Sequence, residues 1–229
     1  MMKTKVYVAD ISFLNDESNF ENFLKFVPVY RREKALRFKF QKGRAQSLGV
    51  GLLLKIACKE FGIPDADENV AYGENEKPYF VNSPQVHFNL SHSEERAMCV
   101  MSSCEVGCDV EKVKRDRGKL AERFFMPHEV AWIKSFALPE EETLAFYRLW
   151  TLKECYMKVT GQGLSLSPEL FSFSFGENGK ISLVHGCARP EFTFREFNLG
   201  DSFRYACCIK NLADTDIVEF ENCNLAKRF

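Results

Sequence analysis

The segment Glu140–Thr160 constrains this chain more than any other, because it reads as one long helix with an unusual face. Within "RLWTLKECYMKVTGQG" (Arg148–Gly163), Trp150, Glu154 and Lys158 fall four apart and stack on that face. Gly161 and Gly163 then stop the helix and let the chain turn sharply. An ordinary Glu154–Lys158 pair on an exposed helix, worth about 0.2–0.5 kcal/mol, explains the charges taken alone. Trp150 then serves as a core anchor.

Other elements are fixed by periodicity and punctuation. Lys3–Ala9 alternates as a strand, and helices are expected over Phe20–Val27 and, after Pro28, over Arg31–Phe38. Arg44–Phe61 is a long amphipathic helix closed by Gly62 and Pro64. A polar turn spans Gly73–Pro78, and strands follow at Val86–Leu90, Ala97–Ser102 and Cys104–Val110, with a turn over Ser91–Arg96. Helices are expected at Lys119–Phe125 and Pro127–Phe136, and Phe171–Phe220 is β-rich. Mixed β and α occur twice over, with a seam near Ser103, so the fold class is α+β with halves 1–103 and 104–229.

The chain has 229 residues, 45% of them hydrophobic and 22 of them Phe, enough for a sizeable core. Its 31 basic and 32 acidic side chains leave a net charge of −1, which argues against a general nucleic-acid or membrane-surface role. An anion must therefore be gripped by a local cluster. The apolar run Val6–Ala9 ends at Asp10, so neither a secretory leader nor a membrane span is expected. The nine Cys are scattered without a CxxC pair, which fits reduced, packed thiols and a cytoplasmic setting.

Three constellations carry chemistry. In "EVGCDVEKV", Asp109 and Glu111 share one face of a strand while Val110 turns to the core. Two hard carboxylates there make a perch for Mg²⁺, and a solvated acidic strand face is the plainer alternative. On the long helix Glu154 adds an oxygen and Lys158 a phosphate-neutralising charge, with Lys153 beside it. In "VHFNLSHSEE", Ser91 and His92 lie in a turn after a strand, where hydroxyl and imidazole suit phosphate or ribose contacts. A Ser–His hydrolytic pair is disfavoured, since no GxSxG elbow is present. His87, His128 and His185 read as structural or surface residues.

Taken together, "FNLSHS", "GCDVEKV", "RFF" with His128-Glu129, and "FYRLWTLKECYMKVTGQGLSL" resemble the 4′-phosphopantetheinyl transferase superfamily, in its longer Sfp-type branch. The motifs span about Val86–Leu166, and weaker likeness runs back through "EKP" to "RREKALRF". The resemblance implies a monomeric pseudo-dimer of two similar α/β halves with coenzyme A in the cleft between them. It implies Mg²⁺-dependent transfer (Mn²⁺ possible) of phosphopantetheine from coenzyme A to a serine of an apo acyl or peptidyl carrier protein, releasing adenosine 3′,5′-bisphosphate. By position, Asp109, Glu111 and Glu154 match the metal ligands, with Glu154 and Lys158 catalytic. Ser91, His92 and Lys77 match contacts to the nucleotide end, and Arg31, Lys34, Arg44 and Ser47 a basic frame around it; Lys153 and Lys158 complete the coenzyme A set. Arg31 stands where a Lys is common, and Cys155 where Ala or Ser is usual. Phe124, Phe125, Met126, Gln162 and Leu164 are candidates for carrier docking. Two rival readings keep the same residues: a non-catalytic coenzyme A or carrier binder, and a Mg²⁺-dependent phosphohydrolase.

Overall fold

A computed structural model describes residues 4–114, 118–176, 179–185, 192–212 and 216–229. The first strand, β1 (Thr4–Asp10), is followed by helices α1 (Glu17–Leu24), α2 (Val29–Leu36) and α3 (Gln41–Glu60). The short strands β2 (Val70–Tyr72) and β3 (Pro78–Phe80) precede the longer β4 (His87–Ser93), β5 (Arg96–Ser102) and β6 (Val106–Lys112). Helices α4 (Gly118–Phe124), α5 (Pro127–Ile133) and α6 (Pro139–Thr160) come next. Strands β7 (Ser172–Phe175), β8 (Ile181–His185), β9 (Phe192–Phe197), β10 (Phe203–Lys210) and β11 (Val218–Cys223) lead to the final turn α7 (Leu225–Arg228). The α+β expectation holds, and no described helix is long and apolar enough to cross a membrane.

Two sheets form the centre. The first has the order β11-β1-β5-β4 and the second β6-β10-β9. Along β1, Tyr7 and Ala9 face one core with α3 while Val6 and Val8 face a second. Along β10, Tyr205 and Cys207 enter that second core, whereas Ala206 and Cys208 pack under α6. The layers are therefore α3, first sheet, second sheet, α6. Both sheets are covered on both sides, which explains the unbroken apolar runs "VYVA" and "YACCI" where simple alternation would mark a half-exposed strand. The β4–β5 and β9–β10 hairpins each come after a long helix, α3 and α6, that packs on their sheet.

Some expectations shift for local reasons. Helix α1 starts at Glu17 because the Asp16 carboxylate accepts the Asn19 N–H at 2.9 Å, a cap that moves the helix three residues earlier. The turn expected over Ser91–Arg96 shrinks to Glu94-Glu95, and Ser91, His92 and Ser93 are strand residues. Strand β6 correspondingly runs on to Lys112. The expected division after Ser103 gives Val218–Cys223 to the second half, yet these residues pair in parallel with β1 in the first sheet.

One glycine sets the distance between α6 and the second sheet. A Cβ on Gly107 would lie 2.2 Å from Cys155 O and 2.6 Å from Val159 N, so helix main chain rests directly on strand main chain. Gly107→Ala is expected to destabilise the fold by more than about 3 kcal/mol, because the clash is with backbone that cannot swing aside. Urea unfolding at constant slope measures it, and a change below about 1 kcal/mol would show that α6 shifts freely.

Candidate active site

With Gly107 bare, the face of α6 carrying Trp150, Glu154 and Lys158 lies over Asp109 and Glu111 of β6. The Lys158 ammonium donates to Asp109 Oδ1 at 2.7 Å, to Cys108 O at 3.0 Å and to Ser91 Oγ at 3.2 Å. Burial pulls the Lys158 pKa down, but the negative charge of Asp109 and the polar groups around it hold it above its ordinary value. The other Asp109 oxygen, Oδ2, is buried without a hydrogen-bond partner.

The carboxylates repel one another. Burial first, and then the charge of Asp109, raises the Glu154 pKa to about 7. Burial and Asp109 also raise that of Glu111, against the opposing bond from Ser93. This is a frustrated acidic group next to a fixed ammonium, the kind of perturbed cluster that marks functional sites. As the side chains stand, no three His, Cys, Asp or Glu among the described residues are gathered closely enough to hold a metal ion.

The second wall is cationic. Arg31 is 4% exposed, its stem lying where Gly51 leaves room and its Nε without a partner; Ser47 Oγ nearby on α3 is also buried and unpartnered. Partial burial, followed by the positive charges of Lys158, Lys34 and Arg31, pushes the His92 imidazole below its ordinary pKa. Ser91, His92, Lys34 and Arg31 therefore belong to one electropositive region that meets the acidic face at Lys158. Lys34 stacks its ammonium over Tyr72, 5.3 Å from the ring centre. Arg44 sits at the rim with Nε donating to Phe38 O at 2.9 Å.

Lys77 approaches from the first half. Its ammonium donates to Val159 O at 2.7 Å, and Asn75 Nδ2 donates to Gly161 O at 3.0 Å, so the β2–β3 loop closes the C-terminal end of α6. There Gly161 takes the left-handed conformation (φ 71°) that ends the helix.

Lys153 must be corrected. It is 1% exposed and turned away from the cleft, and its ammonium is spent on Glu129 Oε2 at 2.9 Å, Pro168 O at 2.8 Å and Phe171 O at 2.6 Å. Three full donors leave nothing for a phosphate. Glu129, equally buried, accepts the Met126 and Phe173 N–H groups at 3.0 Å each, making a polar knot under the helix. Among the docking candidates Phe125 is also corrected, since it is buried against Phe146 and Trp150. Phe124 and Met126 are half-buried and Gln162 is exposed, while the Leu164 side chain lies outside the described residues.

Sequence reasoning missed three participants. Trp150 is the core anchor expected, packed against Phe124, Phe125 and Phe146, whereas Glu129 appeared only as a motif letter, Ser91 only as a turn residue, and the polar alternation Asn89-x-Ser91-x-Ser93 not at all. Those three accept the N–H groups of Cys108 (2.9 Å), Val110 (3.3 Å) and Lys112 (3.1 Å), joining β4 to the free edge of β6. Polar residues at period two opposite a strand edge were the signal available.

Two outcomes test this description. Folding raises the Glu154 pKa, so the folded chain keeps a proton that the unfolded chain has lost between about pH 4.5 and 7, and stability from this group falls as pH rises through that window. Metal-free Glu154→Gln should therefore be more stable than the parent at pH 8, by about 1–3 kcal/mol, with the gap closing toward pH 5 in thermal melts. Lys153→Met should lose about 3–5 kcal/mol by leaving a buried carboxylate alone, and adding Glu129→Gln should recover much of it.

A family model described as the 4′-phosphopantetheinyl transferase superfamily matches residues 105–208. A 4′-phosphopantetheinyl transferase of Bacillus subtilis is 30% identical over 202 residues, covering 88% of this chain and 90% of that one. The 4′-phosphopantetheinyl transferase Sfp of Bacillus subtilis strain 168 is 29% identical, covering 85% and 87%. The 4′-phosphopantetheinyl transferase gsp of Aneurinibacillus migulanus is 33% identical, covering 89% and 87%.

Proposed function

We propose that this chain, which belongs to the 4′-phosphopantetheinyl transferase superfamily, performs its transfer on the Asp109–Glu111–Glu154–Lys158 wall of the cleft. Its activity is that of a 4′-phosphopantetheinyl transferase acting on carrier proteins. The observation that carries the assignment of roles is the meeting of a frustrated, largely buried carboxylate group with Lys158, beside Arg31 Nε and Ser47 Oγ, which are buried without hydrogen-bond partners. An anion dense in phosphate, together with a cation on the carboxylates, would satisfy both walls at once.

Coenzyme A supplies such an anion, with a pyrophosphate and a 3′-phosphate. In our reading Arg31, Ser47, Lys34 and His92 receive the nucleotide phosphates, with Ser91, Lys77 and Arg44 at the margins. The donor set fits a hard divalent cation: Asp109 Oδ2 lacks a partner, and Glu111 and Glu154 carry raised pKa values that a cation would lower. Asp109, Glu111 and Glu154 would hold Mg²⁺. When bound, it neutralises charge on the pyrophosphate.

The chain's own residues do the rest. The carrier serine oxygen forms a bond to the phosphorus bearing pantetheine, and the bond from that phosphorus to the bridging oxygen breaks. Glu154, on the face of α6 that lies over Asp109, takes the serine proton. Lys158 meets the charge on the departing adenosine 3′,5′-bisphosphate, held in place for this by Asp109, Ser91 and Cys108 O. The cleft lies between two halves of one chain, so a monomer suffices for the reaction we describe.

Incubating the protein with an apo carrier, coenzyme A and Mg²⁺ should add one phosphopantetheine to the carrier, read by intact mass spectrometry. Asp109→Ala and Lys158→Ala should each cut turnover by about 10²-fold or more. Coenzyme A binding without transfer would favour a binding protein, and pantetheine release without a carrier would favour a hydrolase. Full activity of Asp109→Ala at limiting Mg²⁺ would remove the metal assignment.

A further inference from the structure

The bonds between β4 and β6 are not equivalent. Asn89 Oδ1 accepts the Cys108 N–H at 2.9 Å and touches no carboxylate through that atom. Ser93 does two things: its oxygen accepts the Lys112 N–H at 3.1 Å, and its hydroxyl donates to Glu111 Oε2 at 2.8 Å. The direction is fixed, since an amide can only donate, which leaves the Ser93 proton for the carboxylate. Glu111 thus takes a donor from β4, an element other than its own strand. That donor constrains a half-buried carboxylate that its own strand would leave free to rotate.

We propose that Ser93 is a positioning residue for the transfer, aiming Glu111 into the acidic group from the opposite half of the molecule. The proposal rests on the metal-holding role given above to Glu111. It makes the hairpin tip of the first half part of the acidic site, so the site is assembled only when the seam is closed. Ser91 is shared between Asp109, Val110 and Lys158, and replacing it would disturb three groups at once. Ser93 touches only the one carboxylate and one amide, which makes its effect separable.

The experiment titrates Mn²⁺ alone into the intact protein, followed by electron paramagnetic resonance, and runs thermal melts on the same samples. Ser93→Ala should weaken Mn²⁺ binding by about 10-fold, the usual loss when the group orienting a metal ligand is removed. Its KM for Mg²⁺ should rise by a similar factor, with kcat at saturating Mg²⁺ within about twofold of the parent. Ser93→Thr, which keeps the hydroxyl, should restore Mn²⁺ affinity. Asn89→Ala should lower the melting temperature yet leave Mn²⁺ affinity unchanged; should it fail to fold, the Ala and Thr variants at 93 decide. Parental affinity in Ser93→Ala, no rescue by Thr, or an equal loss in Asn89→Ala would overturn the proposal by reducing Ser93 to seam packing. A parent that binds no Mn²⁺, or binds it unaltered in Glu111→Gln, would instead strike the metal assignment and the proposal with it.

Discussion

The contact between Gly107 and the main chain of α6 is the constraint from which the site follows. A helix on a sheet normally rides on side chains that hold the two main chains well apart. Here one residue without a Cβ lets the helix settle onto β6, and the side chains flanking that point meet across the gap. Four residues of helix rise about 6 Å, and two residues of strand about 6.6 Å, so the steps on the two elements nearly match. That match lets Trp150, Glu154 and Lys158 address Glu111 and Asp109 in sequence along one groove.

A second feature makes the groove a property of both halves. Among the described residues the outer edge of β6 pairs with no strand, and Asn89, Ser91 and Ser93 supply acceptors for its N–H groups from side chains. A backbone ladder would have merged the two sheets and left no polar hydroxyls at the site. Side-chain pairing closes the edge while leaving protons to donate, and Ser91 and Ser93 spend these on Asp109 and Glu111. At the far end of α6, Asn75 and Lys77 bind the last helical carbonyls from the first half. The C-terminal end of α6 is therefore held by residues remote in sequence.

How much of this the sequence revealed depended on whether a residue's neighbours are local. The α6 boundaries were legible to within one residue, because Pro139 and Gly161 mark them and the apolar period is unbroken between. Asp109 with Glu111, and Glu154 with Lys158, were legible as pairs because strand and helix periods say which side chains share a face, and the resemblance to the family implied that the two pairs form one set. Lys153 was misjudged for the same reason in reverse: its sequence position beside Glu154 says nothing about Glu129, 24 residues earlier, which claims its charge. Ser91 and His92 looked like turn residues since Ser, His and Glu cluster there, and only the pairing with β5 shows that they are strand. The return of β11 to β1 had no local signal at all, as parallel pairing of chain termini is decided by the whole fold.

The charges show what the fold gives up for this arrangement. A chain with a net charge of −1 has no long-range field with which to hold an anion, so the work falls on a few buried groups. Burying Arg31, Asp109 and Glu154 with incomplete partners lowers stability, and replacing them with neutral groups of similar shape would raise it. The core elsewhere offsets that loss with two sheets covered on both faces and nearly all described cysteines packed as apolar filler. Unsatisfied groups are tolerable in the cleft because they lie where α6 and the seam already hold the backbone rigid. Under the proposed function, an anion on one wall and a cation on the other would satisfy them, and the transfer would bring those two components together.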